Sequence, residues 1–340
     1  MSTSARPSDA GDGLTLRVLV LLIALVLIAP FFVYPVFIMK ALCFALFACA
    51  FNLLFGYCGL LSFGHAAFFG GASYITAHAM KVWGAPPELG VLLAVAVSAL
   101  LGAAFGWLAI RRTGIYFSMV TLALAQMIYF FCLQAPFTGG EDGIQAVPRG
   151  MLFGFIDLSN TLTLYYVVVA VFLIGFAIIW RIINSPFGNV LLAIRENEAR
   201  AVSLGYRVGR FKIIAFTLSA ALTGLAGATK SFVFQLASLT DVHWTMSGEA
   251  VLMTLVGGMG TVLGPVFGAF FIISLESYLA QFGAWVTFIQ GAVFVGCVLM
   301  FRRGMFGELS GFIAQRTKRP AGNEAKASAL RQATVEGGRA

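Results

Sequence analysis

Charge is what this sequence has least of. Asp, Glu, Lys and Arg make up 11% of its 340 residues, where a soluble domain carries roughly a quarter. That shortage excludes an ordinary water-facing globular surface. Metal and disulfide chemistry are also missing. The five cysteines, Cys43, Cys49, Cys58, Cys132 and Cys297, lie in or beside apolar runs, with no CxxC pair and no histidine at ligand spacing. They read as small buried hydrophobes. No pair of carboxylates, no Ser/His/Asp set and no metal-spaced ligands suggest catalysis, and no cofactor is expected. Gly224 to Ser231 is the nearest approach to a phosphate-binding loop, but Thr229 stands where glycine is required and no strand precedes it. Gly258-x-Gly260 fails as a dinucleotide motif for the same reason.

What is abundant is apolar residue, 60% of the chain, with a mean hydropathy of +0.92. It comes in blocks of the length that a hydrocarbon core of about 30 Å requires. Inside lipid every backbone polar group must be satisfied internally, which leaves helices or a closed barrel. A barrel alternates apolar and polar residues; Val18 to Ile28 and Val167 to Ile179 do not. The expected fold is therefore an all-α integral membrane bundle of about 10 spans (8–10). They are placed at 15–35, 36–55, 60–80, 88–110, 115–134, 161–181, 211–229, 248–262, 264–281 and 284–301. The second begins at Tyr34-Pro35, and the eighth and ninth are parted at Gly264-Pro265. Either short member of these pairs reads equally as a re-entrant segment. No A-x-A site follows the first apolar run, so 15–35 is expected to stay as an uncleaved span.

Lysine and arginine orient the spans. With the N-terminus inside, inner segments hold 18 of the 22 basic residues and outer segments hold Lys40, Lys81, Arg149 and Lys230. That is the sense of the positive-inside rule, with both termini cytoplasmic. Their placement at span ends and in the tail argues against nucleic acid. Residues 1–14 form a cytoplasmic tail, 15–303 the transmembrane domain, and 304–340 a polar cytoplasmic tail expected to be disordered. Gly260, Gly264 and Gly268 recur every four residues, as do Gly102 and Gly106, a spacing that lets helices approach closely in lipid. The outer loop carries turn formers at Thr138-Gly139-Gly140-Glu141-Asp142-Gly143.

The inner loop 182–210 opens with Asn184-Ser185-Pro186-Phe187-Gly188, a helix start, and runs on through Arg195-Glu196-Asn197-Glu198-Ala199-Arg200-Ala201 to Gly205. Leu191, Ile194, Val202 and Leu204 are mixed with charges of both signs. A solvated loop helix and a helix that docks in a partner's groove are both open. Glu198, Ala199, Ala201 and Gly205 resemble the EAA loop of ABC importers, with Arg200 where alanine is preferred and one extra residue before the glycine.

A wider resemblance spans residues 35 to 305. Asn52 to Gly70, reading NLLFGYCGLLSFGHAAFFG, looks like the signature of the branched-chain amino acid permease family of ABC importers. Arg112 to Ala123, Thr138-Gly139-Gly140 with Asp142-Gly143, Ser185 to Gly188 with Arg195 to Glu198, and Leu255 to Thr261 before Gly264-Pro265 are similar to its LivM-type branch. The resemblance implies a non-enzymatic permease subunit in the bacterial inner membrane, taking branched-chain amino acids by alternating access. It implies a second, LivH-like permease subunit, two ATPase subunits that carry the ATP chemistry, and a periplasmic substrate-binding protein. On that reading Arg195, Glu196, Glu198, Ala199 and Gly205 form the ATPase-coupling loop.

Polar residues in the spans are candidates for the substrate path. Ser62 and His65 open the third span, Tyr116, Ser118, Thr121 and Gln126 lie along the fifth, and Glu249 and Thr254 fall in the eighth. Each has a structural alternative: Thr121 and Thr254 bonding their own helix, His65 bonding between helices, Glu249 capping its span. Glu276 is expected to snorkel outward. Urea or short amides remain alternative cargoes within the class. An ion-coupled secondary transporter or a membrane enzyme are the alternatives outside it.

Overall fold

Proline and glycine mark where the apolar blocks become helices. The computed structural model describes residues 26–283 and 285–300. The helices are α1 Pro35–Cys58, α2 His65–Lys81, α3 Pro87–Ala109, α4 Ile115–Gln134, α5 Thr161–Ile183, α6 Pro186–Glu196, α7 Glu198–Ser203, α8 Val208–Phe234, α9 Leu239–Val242, α10 Trp244–Gly257, α11 Gly264–Leu279 and α12 Trp285–Met300. Proline stands in the first turn of α1, α3, α6 and α11, where its missing N–H is one that no helix would use. Gly59, at φ 75°, closes α1 in a left-handed turn. Among the described residues α1, α3, α4, α5 and α8 are long and apolar enough to cross a membrane. Residues 15–25 of the expected first span lie outside the described residues, as do the tails 1–14 and 304–340; its second half is described and holds a 3-10 turn at Ala29–Phe31.

Burial separates a central helix from a peripheral one. In α1, 19 of 24 residues are buried, the pattern of a helix enclosed on every side. In α4 the buried residues are Phe117, Thr121, Ala125 and Cys132, a single stripe at helical spacing, and the remainder is half-buried or exposed. Helices α2, α3 and α8 pack by backbone approach. A Cβ on Gly227 would lie 2.0 Å from the Phe69 carbonyl oxygen, and one on Gly102 would lie 2.4 Å from the Ala220 Cβ. The Gly102/Gly106 pair thus faces α8. Gly224 to Ser231 is uninterrupted helix.

The bundle has two distinguishable ends. The hairpin end gathers residues 136–160: turns of 3-10 helix at Pro136–Thr138 and Gly140–Asp142, strand β1 (Ile144–Gln145), and the β2 (Met151–Leu152) and β3 (Ile156–Asp157) hairpin. Strand β1 pairs antiparallel with β4 (Leu236–Ala237), just beyond α8. The loop end carries α6 and α7.

Three expectations are corrected. The glycine stripe is not continuous: Gly258 (φ 121°) and Gly260 (φ 78°) belong to a break between α10 and α11, where left-handed backbone selects glycine. Only Gly264 and Gly268 lie in a helix, and a Cβ on Gly268 would sit 1.8 Å from the Met253 carbonyl oxygen of α10. Gly264-Pro265 opens α11 rather than separating it from α10. Lys230 is not in an outer segment but within α8, buried.

Candidate functional site

Ser185 caps α6, its hydroxyl accepting from the Gly188 N–H at 3.4 Å, so the Ser-Pro start signal acts where expected. The loop then breaks at Asn197, which is extended (φ −157°) and caps α7 by accepting from Arg200 N–H at 3.0 Å. Helix α7 ends in a Schellman turn. Tyr206 N–H bonds to the Ala201 carbonyl at 3.2 Å and Gly205 N–H to that of Val202 at 2.9 Å. This turn needs a left-handed C′ residue, and Gly205 has φ 87°.

Ala201, Ile194 and Val208 form the loop's own small core. Glu198 pairs with Lys212 of α8 at 2.7 Å, the lysine side chain only 5% exposed, and so holds α7 down. Arg195 donates from Nη1 to the Gly56 carbonyl, one of the carbonyls that the C-terminus of α1 leaves unpaired. A cation there also complements the helix dipole. Glu196, Ala199 and Arg200 are exposed, and beside them stand Val202 (57% exposed), Leu204 (68%) and Tyr206 (42%).

The interior candidates fall into groups. Residues 59–64 are not helical, so Ser62 lies before α2 rather than in it; its oxygen accepts from Gly64 N–H at 3.1 Å. Helix α4 pins this segment: Ser118 donates to the Leu61 carbonyl at 2.6 Å, and Thr121 accepts from Phe63 N–H at 3.2 Å. Ser247 of α10 donates to the Phe63 carbonyl and accepts from Ala66 N–H, both at 2.8 Å.

His65 is fully buried against Phe51, Phe68 and Phe216. Its Nε2 is 2.8 Å from Ser219 Oγ, and that hydroxyl already donates to the Ala50 carbonyl at 2.5 Å. A hydroxyl has one proton to give, so Nε2 is the donor and Nδ1 is left a bare acceptor without a partner. His65 therefore bonds between helices, joining α2, α8 and α1.

Tyr116 is 71% exposed on the outside of the bundle, and Gln126 is half-buried on α4. Thr254 bonds its own helix, donating to the Ala250 carbonyl at 2.8 Å. Glu249 does not cap its helix, because α10 begins at Trp244 with His243 as cap; it sits half-buried in the second turn. Glu276 does not stand free but pairs with Lys40 at 3.0 Å.

Two features have no local sequence signal. Lys230 and Asp241 form a buried ion pair between α8 and α9, with Asp241 also in the Ser238 capping box. Asn52 of α1 reaches the break between α10 and α11, 208 residues away. A charged residue after a Gly-rich apolar run was the only available hint of the first. No group of three or more His, Cys, Asp or Glu side chains suited to a metal occurs among the described residues.

A polytopic bundle of long apolar helices with a charged loop helix at one end has the architecture of a helical membrane protein. Residues 36–298 match the family described as branched-chain amino acid transport system / permease component, and the chain belongs to that family of ABC permeases. It is 26% identical over 330 residues to the high-affinity branched-chain amino acid transport system permease protein LivM of Escherichia coli, covering 86% of this chain and 76% of that one. The LivM protein of Salmonella typhimurium is 26% identical over 325 residues, with the same coverage. The autoinducer 2 import system permease protein LsrC of Klebsiella pneumoniae is 29% identical over 223 residues, 60% of each chain. No solved structure matches the chain.

Proposed function

We propose that this permease imports branched-chain amino acids across the bacterial inner membrane as one half of a permease pair. A periplasmic binding protein delivers the solute to the hairpin end, and two ATPase subunits grip the α6–α7 loop and drive alternating access. The observation that carries the reading is the loop's architecture. Helix α7 is clamped from behind by Glu198–Lys212 and presents Val202, Leu204 and Tyr206 to solvent. Apolar side chains on a rigid, charge-rimmed helix are what a protein groove receives. Arg111, Arg112, Arg181, Arg200, Arg207 and Arg210 share this end, which makes it cytoplasmic by the positive-inside rule. An apolar cargo fits a bundle in which intramembrane charges neutralise one another in pairs, Lys230–Asp241 and Lys40–Glu276, although Glu249 stands outside any such pair among the described residues.

The test is ATP-dependent uptake by the whole complex in vesicles, with leucine, urea and acetamide compared. Leucine uptake that requires ATP and the binding protein is the expected result. Uptake of urea or acetamide in preference would move the cargo and keep the class; the similarity to autoinducer 2 import permeases favours including autoinducer 2 as well. Uptake driven by an ion gradient with ATP omitted would replace the importer reading by a secondary transporter.

A further inference from the structure

Three segments distant in sequence meet at one point at the loop end. Asn52, only 2% exposed on the largely apolar α1, donates from Nδ2 to the Thr261 carbonyl at 2.9 Å. Its Oδ1 accepts from Gly260 N–H at 3.0 Å. The amide thus acts as one more peptide unit for the break at 258–263, whose backbone has left the helical ladder. One turn further along α1, the Gly56 carbonyl takes the Arg195 guanidinium of α6.

Glycine keeps the approach close, most stringently at Gly56, where a Cβ would meet backbone. A Cβ on Gly56 would lie 2.0 Å from Asn52 Oδ1 and 2.8 Å from Gly260 N, one on Gly59 3.1 Å from Arg195 Cγ, and one on Gly260 2.9 Å from Arg195 Nη1. The loop helix, the end of α1 and the break between two short helices are therefore in direct contact. Helix α10, with 14 residues, is about 21 Å long, short of a hydrocarbon core of about 30 Å. A break between two such short helices is a place where one can tilt against the other.

We infer that Asn52 is a positioning residue that ties the α10–α11 break to the Arg195-bearing loop, so that displacement of the loop reaches the break through α1. The inference rests on the proposed importer reading and adds the route by which it acts. Arg195 supplies the loop's hydrogen bond to α1, and Asn52 supplies α1's hydrogen bonds to the break. A purely structural Asn52, there only to satisfy two backbone groups, would affect the amount of folded complex. It would not change the ratio of solute moved to ATP consumed.

The experiment uses the complete complex in vesicles with Asn52→Leu, which keeps the volume and removes both bonds. Import per ATP hydrolysed is expected to fall by about tenfold, a loss on the scale of one or two hydrogen bonds, while ATP hydrolysis persists. Spin labels at Ser203→Cys on α7 and Met259→Cys in the break report the mechanical link. In the parent, nucleotide moves both relative to α5; with Asn52→Leu, the α7 label still moves and the label at 259 does not. Should Asn52→Leu fail to assemble, Asn52→Asp keeps the acceptor bond and is expected to give an intermediate ratio. An unchanged ratio in assembled Asn52→Leu or Asn52→Asp, with both labels still moving, overturns the inference. Absence of ATP-driven import in the parent itself overturns the importer reading instead.

Discussion

At the hairpin end, Lys230 of α8 and Asp241 of α9 form a buried ion pair, β1 pairs with β4, and Arg149 donates to the Val233 carbonyl at 3.1 Å. At the loop end no equivalent buried charge pair exists among the described residues. The joint there is made of neutral or single-charge bonds to backbone, from Asn52 and Arg195, across glycines that leave no side chain in the gap. A buried ion pair is strongly disrupted when one partner goes, whereas a hydrogen bond to backbone contributes about 1 kcal/mol net. The hairpin end is cross-tied and the loop end is jointed. Such an asymmetry suits a permease whose moving input arrives at one end only.

The largest expected effect comes from breaking the stronger end. Lys230→Ala or Asp241→Ala leaves a buried charge alone and should cost about 3–5 kcal/mol, seen as a lowered melting temperature of the purified complex. The double variant Lys230→Met with Asp241→Leu should regain most of that stability. If the double variant melts as low as either single one, the tie is more than a compensated pair. Next comes the close packing of the short helices. Gly268→Ala must displace the Met253 carbonyl, at a cost of about 1–3 kcal/mol. Gly71→Ala, where a Cβ meets nothing within 4 Å and the backbone is helical, should melt at or slightly above the parent.

At the loop end, Glu198→Gln strips Lys212 of its partner, while Glu196, exposed, makes no hydrogen bond or ion pair among the described residues. Glu198 is 46% exposed, so its loss should destabilise by only about 1 kcal/mol after solvent screening. Glu196→Gln should leave the melting temperature unchanged and act, if at all, on ATPase affinity. Equal melting of the two variants would remove the distinction between anchor and contact residue.

The smallest effect belongs to the exposed hairpin. Hydrogen bonds from the Ser159 hydroxyl and N–H hold the Asp157 carboxyl below its usual range. A depressed carboxylate contributes stability above its unfolded pKa, near about 3.9, and loses it as pH falls through the folded value. Proteolysis of the 151–157 hairpin should therefore quicken only on strong acidification, and Asp157→Asn should abolish that dependence.

The helices built on hydropathy blocks between 35 and 300 were legible in the sequence to within about five residues, because hydropathy blocks and proline starts are local signals; the four-residue α9 and the division of the inner loop into α6 and α7 were not. The loop's Ser185 start was legible for the same reason, whereas Gly205 was singled out only by the EAA-like pattern and not as a helix-ending turn. The break at 258–263 was misplaced onto Gly264-Pro265. Apolar content runs straight through it, and only left-handed backbone at Gly258 and Gly260 reveals it. Lys230 was assigned to the outside by its charge, since nothing nearby in sequence announces Asp241 as a partner across the β4 turn. Glu198 carries the marks of a docking residue, yet its carboxylate is spent on Lys212. The joint at Asn52 was invisible: its two bonds join residues more than 200 positions apart, and an asparagine in an apolar run looks the same whether it serves its own helix or another.

The central claim is that the loop end is where the ATPase grips. Photo-crosslinking groups placed at Leu204 and, in a separate variant, at Phe155 of the hairpin end test it in the assembled complex. The account predicts an adduct with the ATPase subunit from Leu204 and none from Phe155. An ATPase adduct from Phe155, with Leu204 silent, would contradict it.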